Sequence, residues 1–197
     1  MENRETFFGR LDVRLAPREV LDIELAYTLA KSAHRWQIRK SLGPDGRPQR
    51  YFEHLRRTAL ILMDVAGVYE RDLVVAALLH DGVEDTRELG LKIIEHAFGT
   101  VVARIVRKLT KAPKDGYVER LRQAGWRTLL IKACDRLDNL RTLDEPGVEP
   151  EFKDKQLSET REKYADLFER LDELAPARYR SGVAAVIGEI RRLAGIC

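Results

Sequence analysis

Residues Leu73 to Leu79 form an unbroken apolar run, LVVAALL, followed at once by His80 and Asp81. At about 100° per residue, these seven side chains circle a helix completely. A helix that is apolar on every side belongs at the centre of a globule. The run is too short to cross a bilayer, which needs about 20 apolar residues. A buried central helix over about residues 71–81 is therefore the first expectation. It makes its own last two residues conspicuous, because an unpaired buried carboxylate costs several kcal/mol and no lysine or arginine stands among residues 73–80. A bound cation would resolve that conflict by taking both side chains as ligands. The alternative is a core histidine beside an aspartate that caps the helix end.

The rest of the chain reads as helix around this centre, with no β-rich alternation and no internal repeat. Pro17 opens a helix whose periodicity runs to about Lys40, and Gly43-Pro44-Asp45-Gly46-Arg47-Pro48 is a loop. Further helices are expected near 52–66, 88–98, 100–111, 117–124, 126–143, 153–174 and 177–194. Gly67, Gly99, Pro113, Gly125, Pro146 with Gly147, and Pro176 separate them. At 197 residues this is an all-α fold, read as a single domain over residues 1–197.

Composition narrows the function classes. A net charge of +3 is too small for wholesale nucleic-acid binding. A local excess of arginine and lysine between Arg35 and Arg57 would suit a polyphosphate, or would simply be a solvated basic loop. The N-terminus is charged from its second residue, so no signal peptide or membrane anchor is expected. Two cysteines, Cys134 and Cys197, give no disulfide framework, and a cytoplasmic location follows as the default.

Two further groups carry possible chemistry. Glu84 and Asp85 follow His80 and Asp81 at four-residue spacing, within reach of any ion held there and suited to orient or deprotonate water. In the helix near 126–143, Leu130, Ala133, Leu137 and Leu140 make a core stripe. Asp135, Asn139 and Lys132 form a separate polar stripe about 60° wide. That stripe fits a functional face and a solvated amphipathic helix equally well.

The combination H…HD…D resembles the HD superfamily of metal-dependent phosphohydrolases. The fuller set is similar to the hydrolase domain of RelA/SpoT-type alarmone enzymes, especially small stand-alone alarmone hydrolases of the metazoan SpoT-homologue type. AHRWQIRKS (33–41), YFEHL (51–55), AALLHDGVEDT (76–86), FGTVVARIVRKLTK (98–111) and DRLDNLRTL (135–143) carry the resemblance. It covers roughly residues 25–170. The resemblance implies one Mn²⁺-like ion held by His54, His80, Asp81 and Asp135, with Glu84 and Asp85 as the catalytic acids beside the attacking water. It implies that Arg39, Lys40 and Ser41 bind substrate, with Asn139, Thr142 and Tyr164 as nucleotide contacts. His34 would lie near the site without being a ligand, and His96 would be a surface or packing residue.

The sequence departs from the family pattern in three places. Leu55 stands where proline usually follows the first ligand histidine, the 42–50 loop is longer than usual, and Asp138 occupies a slot often taken by histidine or tyrosine. The loop and this aspartate bear on base preference and leave the ligand set intact. No synthetase domain is expected within these 197 residues. The implied reaction is removal of the 3′-pyrophosphate of (p)ppGpp, a small-molecule nucleotide, to give GDP or GTP plus pyrophosphate. The competing readings are a related nucleotide phosphohydrolase, acting on ppApp or on the 2′-phosphate of NADPH, and a non-catalytic nucleotide-binding protein.

Overall fold

A computed structural model describes residues 3–43, 45–111 and 116–196, so Pro44, Pro113 and Cys197 lie outside the described residues. The chain begins with a short helix α1 (Arg4–Gly9), which the sequence reading missed. Asn3 caps it through a reciprocal bond pair with Thr6. Its Phe7 and Phe8 are buried against Tyr27 of α2 (Pro17–Ala33), and Tyr27 in turn meets Phe52 edge-on at 4.7 Å.

Helix α2 stops at Ala33, earlier than the expected Lys40. The residues beyond it find better partners across the chain. Ile38–Leu42 (β1) pairs antiparallel with Pro48–Arg50 (β2), and Leu42 N donates to Pro146 O at 2.7 Å. Tertiary pairing overrides the local helical pattern here, as it commonly does for strands. The hairpin is the single departure from helix among the described elements.

Next comes α3 (Phe52–Leu60), which runs into a π-helical turn over Ile61–Val65 and ends before Gly67, at φ 69°. The apolar run becomes α4 (Arg71–Leu79), and Leu73 through Leu79 are wholly buried. Around it pack α2, α3, α7 (Thr100–Leu109) and α9 (Trp126–Arg141). The short α5 (Gly82–Asp85), α6 (Leu91–Phe98) and α8 (Tyr117–Arg122) fill the intervals. The helix expected over 153–174 is two, α10 (Pro150–Lys163) and α11 (Ala165–Leu174), broken at the buried Tyr164. A 3₁₀ turn, Ala177–Tyr179, then leads into α12 (Arg180–Ala194).

Two glycines set close approaches. A Cβ at Gly182 would lie 2.3 Å from Ala66 O, so α12 seats directly on the backbone that ends the π turn. Gly147, at φ +85°, lets the loop after α9 lie against the hairpin, where a Cβ would meet Leu42 Cγ at 2.8 Å. The first fixes the helical frame; the second holds β1 beside α9. No described helix is long and apolar enough to cross a membrane.

Candidate metal centre and its two chambers

The end of α4, the first turn of α3 and the middle of α9 meet at one point. His54 Nε2 lies 3.3 Å from Asp135 Oδ1 and 3.6 Å from Asp81 Oδ2. His80 Nε2 lies 3.1 Å from Asp81 Oδ2 and 3.8 Å from Asp135 Oδ1. His54, His80 and Asp81 each offer a ligand atom within 4.8 Å of the others. His80 Nε2 is buried and completes no hydrogen bond among the described residues, although both carboxylates are close. Approach without bonding is what donors aimed at a common centre produce.

The far nitrogen of each imidazole is already engaged. His54 Nδ1 donates to Asp138 Oδ2 at 2.6 Å, and His80 Nδ1 donates to Ala77 O at 2.8 Å. A proton on Nδ1 leaves the Nε2 lone pair free to bind a cation. Two imidazoles and two carboxylates are a donor set suited to a divalent first-row ion.

Charge is concentrated here. Burial alone would lower His54, but hydrogen bonds with Asp135, Asp138 and Asp81 lift it to about 9. His80 is also held well above the usual imidazole value, the Asp81 charge overcoming burial. Asp81 and Asp135 lie well below the usual carboxylate range. Burial opposes both shifts and is outweighed by the His80 charge at Asp81 and by Lys132 at Asp135. Lys132 Nζ donates to Asp135 Oδ2 at 2.7 Å, and Asn139 Nδ2 donates to Asp135 Oδ1 at 2.7 Å. The polar stripe of α9 is thus interior, which excludes the solvated alternative: Lys132 is 4% and Asp135 6% exposed.

Two cavities open from this point. The first, about 260 Å³, is polar. Besides the four residues at the centre it is lined by Glu84, Asp85, Lys111, Lys132 and Arg136. Burial raises the carboxyls of both Glu84 and Asp85. A bond from Lys111 N to Glu84 Oε2, 2.8 Å, opposes the rise, while the Asp81 charge adds to it at Asp85. Perturbed acids beside a cation site are suited to proton transfer.

The second cavity, about 280 Å³, is mostly apolar and is lined by Arg39, Lys40, Ser41, Thr142, Leu143 and Phe152 among others. Tyr51 and Asn139 line both cavities. Arg39 Nη2 donates to Asn139 Oδ1 at 3.0 Å and to Thr142 Oγ1 at 3.1 Å. Lys40 Nζ sits 4.1 Å from the Phe152 ring centroid. Ser41 Oγ is buried without a partner among the described residues, an unsatisfied group that a ligand could engage.

Most of the residues singled out from sequence therefore meet here, including Arg39 and Asn139, a hundred positions apart. Tyr164 does not behave as expected. It lines neither cavity, because its ring is buried under Lys132 and Arg136, 5.0 and 4.7 Å from the centroid. The basic cluster is divided. Arg39 and Lys40 line the second cavity, while Arg47, Arg50, Arg56 and Arg57 line a separate one, where Arg50 and Arg56 pair with Glu53 and Arg57 pairs with Asp138. His34 is buried beside the site, stacked on Tyr51 at 5.1 Å, while His96 is exposed on α6.

Several site residues escaped the sequence reading. Tyr51 Oη donates to Asp81 Oδ2 at 2.7 Å, and Lys111 and Arg136 supply cations to the polar chamber. Tyr51 opens YFEHL (51–55), three residues before His54, and that proximity is the available signal.

An all-α frame that turns two imidazoles and two carboxylates toward one point defines a class of helical domains built to hold a metal. The family model that matches residues 26–173 is the HD domain, and the chain belongs to that family. The guanosine-3′,5′-bis(diphosphate) 3′-pyrophosphohydrolase of Aquifex aeolicus (strain VF5) is 36% identical over 166 residues, 79% of this chain and 22% of that protein. A GTP pyrophosphokinase of Streptomyces coelicolor is 34% identical over 171 residues, 81% of this chain and 19% of that protein. The chain spans about a fifth of the length of these curated relatives. A solved structure described as a metazoan ortholog of SpoT that hydrolyzes ppGpp superposes with a TM-score of 0.65 at 28% identity. That match covers 89% of this chain and 97% of the other.

Proposed function

We propose that this chain is a metal-dependent phosphohydrolase that removes the 3′-pyrophosphate of (p)ppGpp, with Mn²⁺ as the ion. One observation carries the reading: the Nε2 atoms of His54 and His80 converge with the carboxylates of Asp81 and Asp135 beside the acids Glu84 and Asp85. The names of the relatives at the hydrolase end of the RelA/SpoT-type family support the substrate. The ion supplies Lewis acidity, acidifying water and offsetting charge that grows on the phosphoryl oxygens.

In this reading His54, His80, Asp81 and Asp135 hold the ion. Lys132 and Tyr51 fix the two carboxylates from behind through the bonds described above. Glu84 and Asp85 accept the proton of the attacking water and return one to the leaving ribose 3′-oxygen as its bond to phosphorus breaks. Lys111 and Arg136 receive the 3′-pyrophosphate in the polar chamber as charge-assisted donors. Arg39, Lys40, Ser41, Asn139 and Thr142 hold the nucleoside half in the apolar chamber. Two cavities of unlike polarity that share Tyr51 and Asn139 suit a ligand with one charged and one aromatic end.

The test is to incubate the Mn²⁺-loaded protein with ppGpp, ppApp and NADPH and to resolve products by anion exchange. Pyrophosphate released from ppGpp is the expected result. Orthophosphate from NADPH alone, or pyrophosphate from ppApp alone, would reassign the substrate. Inertness toward all three with the ion demonstrably bound would leave a binding protein.

A further inference from the structure

The two histidines of the centre are held from behind by unequal partners. His80 leans on a neutral acceptor of its own helix, Ala77 O. His54 leans on Asp138, a carboxylate from another helix that is 1% exposed. Asp138 is itself clamped on its far side. Arg57 Nε donates to Asp138 Oδ1 at 2.6 Å and Arg57 Nη2 to Asp138 Oδ2 at 3.3 Å, while Arg57 Nη1 donates to Gln49 Oε1 at 3.0 Å. A buried carboxylate would be costly alone, and Arg57 is the counter-charge that lets it stay ionised.

We infer that Asp138 is a positioning residue for the metal centre: held by Arg57, it fixes His54 with the proton on Nδ1 and the Nε2 lone pair directed at the ion. The inference rests on the metal-centre reading above and extends it to a residue that touches neither ion nor substrate. An anionic partner behind a ligand imidazole orients the ring and makes the ligand more basic, and its loss typically weakens metal affinity by about 10–100-fold. Because Gln49 belongs to β2, the same chain of bonds ties the hairpin to the first ligand.

The experiment uses the full chain, stripped with a chelator and titrated with Mn²⁺ alone, free ion being read by electron paramagnetic resonance. Wild type binds one ion; Asp138→Asn weakens that binding by about 10–100-fold, and Asp135→Asn, which removes a ligand, abolishes it. Arg57→Gln leaves the aspartate in place and costs less than Asp138→Asn. Wild-type affinity in Asp138→Asn overturns the inference while sparing the metal centre, whereas no binding by wild type overturns both. Should Asp138→Asn fail to fold, ¹⁵N spectra of the wild-type histidines decide on protein loaded with diamagnetic Zn²⁺. A proton on His54 Nδ1 is the expected result, and a bare Nδ1 overturns the assignment.

Discussion

Asp81 answers to three neighbours at once: Tyr51 Oη at 2.7 Å, His80 Nε2 at 3.1 Å and His54 Nε2 at 3.6 Å. Replacing it by alanine removes a ligand and strands two imidazoles, so Asp81→Ala is expected to lose turnover and bound metal together. Pyrophosphate release and elemental analysis on one sample check this, and retained activity in that variant would refute the ligand assignment. The imidazoles also predict a pH response of definite sign. His54 rises from an ordinary 6.5 to about 9 in the folded, metal-free chain. Its contribution to stability is therefore complete below the unfolded value and is lost as pH climbs through about 9. Cation binding must displace that proton, so it runs the other way. Affinity for Mn²⁺ is expected to strengthen as pH rises toward about 9, and titrations across the range that gave a flat profile would contradict it.

At the scale of elements, the close seating of α12 on Ala66 makes Gly182 sensitive. A methyl group there would meet backbone rather than a movable side chain, and Gly182→Ala is expected to cost about 2–3 kcal/mol in urea unfolding with the metal ligands untouched. The elements differ in how plainly the sequence announced them. Helix α4 was legible because an apolar circumference has one stable location, and His80 and Asp81 were legible because that location makes them costly. The hairpin was not, since Ile38–Leu42 becomes a strand through partners at 48–50 and at Pro146 that no local window contains. The break at Tyr164 was hidden for a similar reason: the ring turns inward beneath Lys132 and Arg136 of a different helix. The acid, amide and amine of α9 could be placed on one face by spacing alone, yet only packing decides whether such a face is wet or dry. Asp138 reads from sequence as a departure from a family pattern, and its meaning emerges only when Arg57 and His54 are seen on either side of it.

For the whole molecule, the proposed ligands come from α3, from the residues that end α4, and from α9, so an ion held by them would join three parts of the core. Ligand binding to the folded state alone stabilises by about 2.7 kcal/mol at a hundredfold excess over Kd. For a chain of 197 residues that corresponds to a Tm roughly 5–10 °C higher with Mn²⁺ than with chelator, measurable by differential scanning fluorimetry. An unchanged Tm would mean that the ion does not bridge these helices. Helix α9 imposes one more condition on the molecule's history. It presents Asp135 to the proposed metal centre and Asn139, with its C-cap Thr142, to the neighbouring chamber, all along one line. Inserting a single residue after Arg136 would swing everything beyond it by about 100° and uncouple the two tasks at a stroke. An insertion in that rod is therefore tolerable only in near-whole turns, which restore Asn139 and Thr142 to the line of Asp135.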